Sequence, residues 1–213
     1  MTFGELQAEV LRRLGDSSSA PEYFTASDVK ASLNDAYTEM SDASEWYERN
    51  AVLKTLSNRT YYDLRGVLGA ETFLGFRSAF NNTTRRWLDL MNVRELDEQV
   101  FQQWENVTGE PESVFLRGLW WLGTFPKQAS DTGSLKVYFS GLPPELKADS
   151  DQPGFPEEFH EGLIEYALGD LFSQDWETRK AVIHFNAYSE IERALTAWVD
   201  GRIAKDRISR LHG

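Results

Sequence analysis

Four carboxylates lie close together in the C-terminal half of the chain, at Glu157, Glu158, Glu161 and Glu165. A pair of carboxylates held about 5 to 10 Å apart is what glycoside hydrolysis requires. The same spacing on a helix more simply gives a charged face in contact with solvent, since Glu is rarely buried. We therefore interpret these residues as a solvated helix face, with an acid-pair hydrolase that uses Glu161 or Glu165 as a less favoured alternative.

Other catalytic and metal-binding chemistry has little support in the sequence. There is no cysteine, and the three histidines (His160, His184 and His212) are too far apart in sequence to form an obvious metal site. Asp149 and Asp151 resemble part of a calcium loop, but the glycine and the terminal glutamate are missing, so a polar turn is expected. Phosphate-binding, serine-nucleophile and zinc-protease motifs are also missing. The sequence predicts a protein that is not an enzyme and has no cofactor or metal.

Trp120 and Trp121 are adjacent on a predicted strand. Neighbouring strand residues point to opposite faces, so one tryptophan is expected in the core and the other outside. An outward tryptophan could stack on a sugar, which would make the chain a carbohydrate-binding or tail-fibre-associated module. It could equally anchor a contact with a tail protein or a neighbouring copy, because Trp is enriched at interfaces. Packing alone is the third interpretation.

Helical patterns occupy the first part of the chain. Residues 2–14 have apolar side chains at a spacing of three and four, and Thr2 with Glu5 forms a capping box before a stop at Gly15. Residues 16–21 have the composition of a linker. A second helix is predicted over residues 27–46, with Ser27 as its N-cap.

The last part of the chain is also predicted to be helical. The pattern resumes at Pro156 and, after a break at residues 173–175, continues in a second long helix, which could extend through the basic C-terminal residues or fray there. The predicted apolar face of that second helix consists of Trp176, Ile183, Ala187, Ile191, Leu195 and Trp198.

Between these helical regions, short aromatic and β-branched runs alternate with turn residues, as is typical of antiparallel strands. Residues 66–82 are rich in Gly, Phe and Asn and are predicted to form a long loop or arm. The other segments are predicted strands, over residues 52–56, 61–64, 87–93, 114–116, 119–125 and 135–139.

These elements predict an α+β fold: an α-helical bundle from the N- and C-terminal helices, a β-rich antiparallel middle insert, and an extended basic C-terminal arm. The predicted divisions are residues 1–50 and 156–201 for one helical core, 51–140 for the insert and 202–213 for the arm.

The charge of the chain is uneven. A formal net charge of −12 opposes nonspecific binding to nucleic acid, yet an acidic wall lets a duplex pass without adhering. The C-terminal arm differs from the rest of the chain because it is basic. A basic terminal segment on an acidic protein indicates that the segment binds another molecule. The basic and apolar residues of the arm are Arg202, Lys205, Arg207, Ile208, Arg210 and Leu211.

No apolar run approaches the roughly 20 residues that a membrane-spanning helix needs, and the first residues lack the basic start and apolar core of a signal peptide. Synthesis in the cytoplasm is therefore expected, without a membrane partner.

The order of several short motifs resembles the podovirus-type head-to-tail adaptor (connector) proteins of tailed bacteriophages. Residues 66–85 are the main departure and look like an insertion. The matching motifs are Phe24-Thr25-Ala26-Ser27-Asp28-Val29, Asn34-Asp35-Ala36-Tyr37, Tyr62-Asp63-Leu64, Gly109-Glu110-Pro111, Trp120 through Phe125-Pro126, Val137-Tyr138, Pro143-Pro144-Glu145-Leu146, Asp149 to Pro153, Pro156 to His160 and Tyr166-Ala167-Leu168.

This resemblance implies a virion protein of the neck or tail, assembled in the host bacterium. It implies a ring, commonly of twelve copies, that binds the portal protein from below and continues the DNA channel. The packaged double-stranded DNA would pass through without specific binding, and tail nozzle or tail fibre proteins would attach to the ring. In such adaptors the C-terminal segment reaches into the portal, and residues 202–211 are the matching part of this chain.

Overall fold

A computed structural model of the chain describes residues 1–15, 24–68, 73–99 and 103–211. Side chains are not described for residues 67–68, 99 and 203–211. The predicted linker over residues 16–21 and the histidine at 212 lie outside the described residues. The chain divides into two compact units, one formed by Met1–Tyr47 with Leu142–Gly213 and the other by Glu48–Gly141.

The first unit is helical. After a single turn of 3₁₀ helix at Glu157–Phe159, the last two helices follow one another closely. Its helices are α1 (Phe3–Leu14), α2 (Ala26–Ser44), α5 (His160–Gln174) and α6 (Thr178–Leu211).

Local sequence sets the starts of α1 and α2. The predicted capping box of α1 is confirmed: Thr2 Oγ1 accepts the Glu5 N–H, the Glu5 carboxylate accepts the Thr2 N–H, and Gly15 ends the helix in the left-handed region. The N-cap predicted for α2 is wrong. Thr25 caps this helix, because Asp28 stands three residues later and completes a second capping box.

The four helices share one hydrophobic core. Since helices of this length are marginal alone, burial of their apolar faces supplies most of their stability. The fully buried residues of this core come from both the N-terminal and the C-terminal parts of the chain. They include Phe3, Leu6, Val10, Val29, Leu33, Met40, Leu163, Ile164, Leu168, Leu171 and Leu195.

The loop before α5 fastens the start of α1. The Asp149 and Asp151 carbonyls accept the N–H groups of Gly4 and Phe3 at 2.9 and 2.7 Å, which satisfies two donors that a helix start otherwise leaves open. Asp151 Oδ2 also accepts the backbone N–H groups of Lys147 and Ala148, each at 2.8 Å. The predicted polar turn is therefore confirmed, and it also holds the first helix.

The predicted buried face of α6 is partly wrong. Trp176 lies in the turn between α5 and α6, with a φ of 63° and 91% of its surface exposed. Ile183 is also exposed, whereas Leu195 and Val199 are buried. Among the described residues, no helix combines the length and the apolar character needed to cross a bilayer.

The second unit is built mainly from strands, with the short helices α3 (Arg65–Leu68) and α4 (Val93–Gln99). Its strands are β1 (Glu48–Lys54), β2 (Tyr61–Asp63), β3 (Phe73–Asn81), β4 (Arg86–Trp87), β5 (Asp89–Leu90), β6 (Thr108–Gly109), β7 (Ser113–Arg117), β8 (Trp121–Phe125), β9 (Lys127–Gln128) and β10 (Ser134–Gly141).

These strands form two four-stranded sheets, in the orders β1-β10-β3-β4 and β2-β8-β7-β5, and a small pair, β6-β9. Pairing is antiparallel except in β5-β7 and β6-β9, which are parallel. The predicted α+β class, with helices and antiparallel sheets, is confirmed. The single strand predicted over residues 87–93 is wrong, because the chain there forms two short strands, β4 and β5, that pair in different sheets, and α4 begins at Val93.

The loop predicted over residues 66–82 is wrong for most of its described part. Phe73–Asn81 is the nine-residue strand β3, which pairs with β10 on one side and β4 on the other. Gly75 and Asn81 are loop formers in isolation, but both lie opposite β10, at Ser140 and Leu135. Pairing with β10 therefore outweighs the preference of glycine and asparagine for loops at these positions.

Close packing across β7 and β8 leaves no room for a side chain at one glycine, Gly123. Gly123 lies opposite Phe115 in the antiparallel register, and the buried Phe115 ring covers it. A Cβ atom at this position would overlap the ring. The ring has little freedom to move, because Tyr61 and Trp104 meet it edge-on with centroids 5.9 and 5.1 Å away.

We expect Gly123→Ala to lower the free energy of unfolding by about 1–3 kcal/mol, the usual cost of overpacking a core. Urea denaturation followed by tryptophan fluorescence measures this change. Gly66→Ala is the matched control, because a Cβ atom at Gly66 meets nothing within 4 Å. Equal stability of the two variants would contradict the packing described here.

Candidate interaction surfaces

The carboxylates singled out in the sequence are not assembled into a catalytic or metal site. Within the described residues, no group of three or more His, Asp or Glu side chains is placed to hold a metal ion. Glu157 and Glu158 are exposed, as a solvated face requires. For Glu161 and Glu165 that interpretation is wrong, because both are half-buried and bind Arg13 of α1.

Arg13 is the centre of a charged network between α1 and α5. Its guanidinium donates to Glu9, Glu161 and Glu165, with distances of 2.7 Å to Glu9 and 2.9 Å to Glu165. Glu165 also lies 2.8 Å from Nδ1 of His184, so α6 joins the same network. The network ties three helices together at their surface.

Hydrogen bonds from Arg12 and Arg13 lower the pKa of Glu9 from 4.5 to about 2. The folded-state pKa lies below the ordinary value, so the carboxylate contributes stability above about pH 4.5. That contribution is lost as the pH falls toward 2.

The buried histidine of this unit is structural. His160 Nε2 lies 3.1 Å from the carbonyl of Phe155, and Nδ1 lies 3.1 Å from the N-terminal amine of Met1. The same amine pairs with Glu157 at 3.0 Å. Burial lowers the pKa of His160, which favours the neutral ring. These contacts join the first residue of the chain to the start of α5.

The predicted arm continues α6. The helix has 34 residues and its backbone is helical through Leu211, so the arm is not extended in backbone conformation. The Arg202 guanidinium lies over the Trp198 ring, 4.7 Å from the centroid. The remaining predicted binding residues, Lys205, Arg207, Ile208, Arg210 and Leu211, lie on this helical backbone, and their side chains are outside the described part of the chain.

A groove beside Trp198 was not predicted from the sequence. It has a volume of about 420 Å³, and its lining comes from the turn before α5 and from one face of α6. The spacing of three and four between Ile191, Ala194 and Trp198 could have shown that these residues share a face. The lining residues are Glu158, Phe159, Glu190, Ile191, Ala194 and Trp198.

The two adjacent tryptophans differ in exposure. Trp120 is half-buried in the turn before β8, with its ring 5.2 Å from that of Phe73. Trp121 is the first residue of β8 and is 41% exposed. Trp121 is therefore the one of the pair that is available to a partner.

We expect Arg13→Gln to lower the free energy of unfolding by about 1 kcal/mol near neutral pH, because several half-buried charges lose one partner. The difference from the unmodified protein should shrink as the pH falls through the range in which Glu9 protonates. Urea denaturation at a series of pH values measures both effects.

Arg94→Gln is the control for this substitution, since Arg94 forms a single exposed pair with Glu98 on α4. Equal losses in the two variants would show that the network does not stabilise the helices, and a constant difference from the unmodified protein at every pH would show that Glu9 does not stabilise them through Arg13.

One family model matches nearly the whole chain. The family is described as SU10 adaptor protein, and the match covers residues 1–209, which includes both compact units and most of α6. No curated protein matches the chain. The resemblance to phage head-to-tail adaptors is confirmed by this match, and the family is one of structural virion components. The chain therefore belongs to the SU10 adaptor protein family of phage head-to-tail adaptors.

Proposed function

We propose that this adaptor forms a ring, commonly of twelve copies, on the portal protein of a tailed phage. The ring continues the DNA channel and provides a platform for the tail. The observation that carries the proposal is the family match over residues 1–209. It is supported by the carboxylates Glu161 and Glu165, which bind Arg13 and, among the described residues, belong to no group that could hold a metal ion.

Residues 202–211 are proposed to bind the portal. They carry four basic residues and one acidic residue, on a chain whose net charge is −12. Because their backbone continues α6, Leu211 lies about 20 Å beyond Trp198 along the helix, at 1.5 Å per residue. A basic helix of this reach suits an acidic groove between two portal subunits.

The net charge also fits the proposed channel. A ring of acidic copies repels the phosphate backbone, so packaged DNA passes without specific binding. Assembly is proposed to take place in the host bacterial cytoplasm, with the mature protein in the neck of the virion.

The Glu48–Gly141 unit is proposed to contact tail nozzle or tail fibre proteins or a neighbouring copy. Trp121 supports this role because it is exposed at the start of β8, whereas Trp120 acts by packing against Phe73. The exposed Trp121 ring also favours a second candidate, carbohydrate binding. Quenching of tryptophan fluorescence by a glycan, lost in Trp121→Ala, would favour that candidate over the adaptor contact.

Removal of residues 202–213 should abolish binding to the portal protein of the same phage while the rest of the chain stays folded. The truncated chain keeps the buried residues Leu195 and Val199, so the core of α6 remains. Co-sedimentation with purified portal rings measures binding, and circular dichroism checks folding.

A charge-reversed variant, Arg207→Glu with Arg210→Glu, should lose binding as the truncation does. The control is Arg94→Glu, which reverses an exposed charge in the other unit. Portal binding by the folded truncated chain at the level of the full chain would show that the arm does not carry the attachment.

A further inference from the structure

The groove beside Trp198 has an apolar floor on the surface of the helical unit. The buried Phe159 ring meets the half-buried Trp198 ring edge-on, with centroids 6.0 Å apart. Ile191 is half-buried and Ala194 is exposed, so the floor continues along α6. Burial of such exposed apolar surface by a partner is favourable, because it removes the apolar side chains from water.

Two carboxylates stand at the rim of the groove. Glu158 precedes Phe159, and Glu190 precedes Ile191, and both side chains are exposed. Within the described ranges, neither carboxylate takes part in a hydrogen bond or an ion pair. This contrasts with Glu161 and Glu165, one turn and two turns further on, which Arg13 holds. The groove therefore suits a partner with an apolar stripe and basic flanks.

The arm of this chain has that chemistry. Its backbone is helical, and Ala204, Ile208 and Leu211 follow the spacing of four and three that places positions on one helix face. Arg207 and Arg210 flank that stripe in the sequence. An apolar stripe with basic neighbours complements an apolar floor with acidic rims.

The arm cannot reach the groove of its own chain. Ile191, Ala194 and Trp198 belong to the same continuous helix as the arm, which leads away from them for a further 13 residues. A helix does not fold back on its own preceding turns. The groove that an arm occupies must therefore belong to a second copy.

We propose that, without the portal, the arm of one copy docks in the Trp198 groove of a second copy. Each chain has one arm and one groove, so two reciprocal contacts close a two-fold dimer with the α6 helices antiparallel. The dimer covers the same arm that is proposed to bind the portal, and the two contacts exclude each other. An adaptor paired in this way cannot assemble until a portal takes the arm.

Sedimentation equilibrium of the purified protein at low salt tests this pairing without any portal, so the outcome is independent of the proposed portal attachment. The full chain should be dimeric, and truncation after Gly201 should give a monomer. Reversing the rim, by Glu158→Arg with Glu190→Arg, should weaken dimerisation about tenfold or more, because like charges then face each other across the groove. Arg207→Glu with Arg210→Glu should have the same effect.

The decisive variant combines all four reversals in one chain, since opposite charges then face each other again and dimerisation should recover. The matched control is Asp42→Arg, an exposed charge reversal on α2 that should leave the dimer unchanged. Circular dichroism checks that each variant is folded. A monomeric full chain, a rim-reversed variant that dimerises normally, or a fourfold variant that remains monomeric would each overturn the proposal.

Discussion

The helical unit depends on the packing of α1 and α2 against α5 and α6, two pairs of helices that are separated in the sequence by residues 48–141. The N-terminal amine of Met1 meets Glu157 and His160, and the loop at residues 149–151 accepts the first donors of α1. Arg13 then joins α1 to α5 further along. Because the first and last parts of the chain complete one core, α6 has a fixed inner face, on which Leu195 and Val199 are buried.

Among the described residues, the polar contacts around Arg13 and His160 hold these helices together. Carboxylates that pair with Arg13 cannot serve as a free acid or base, and the neutral His160 bridges the chain end to a backbone carbonyl. The surface that remains unpaired at Glu158 and Glu190 lies beside apolar residues, which is the arrangement of a binding groove. This geometry is compatible with a structural adaptor, which is the class of protein that the family match shows.

Sequence patterns predicted the features that depend on near neighbours. Thr2 and Glu5 are three residues apart, so their capping box could be read directly, whereas Thr25 and Ser27 are both good caps and only Asp28 decides between them. Strand β3 was missed because its glycine and asparagine are compatible with a strand only when β10 lies alongside. The Arg13 network joins residues about 150 positions apart, and no local pattern contains that information. The family was nevertheless identified correctly from the order of the motifs along the chain, although no single motif is specific for it.

Attachment to the portal is proposed to occur through the C-terminal end of α6. Electron cryomicroscopy of the protein mixed with the portal ring of the same phage shows which part of the adaptor meets the portal. We expect a ring of adaptor copies below the portal, with residues 202–211 of each copy inserted between portal subunits and the Trp198 groove no longer holding an arm. A ring attached through the Glu48–Gly141 unit, with α6 away from the portal, would rule out this mode of attachment.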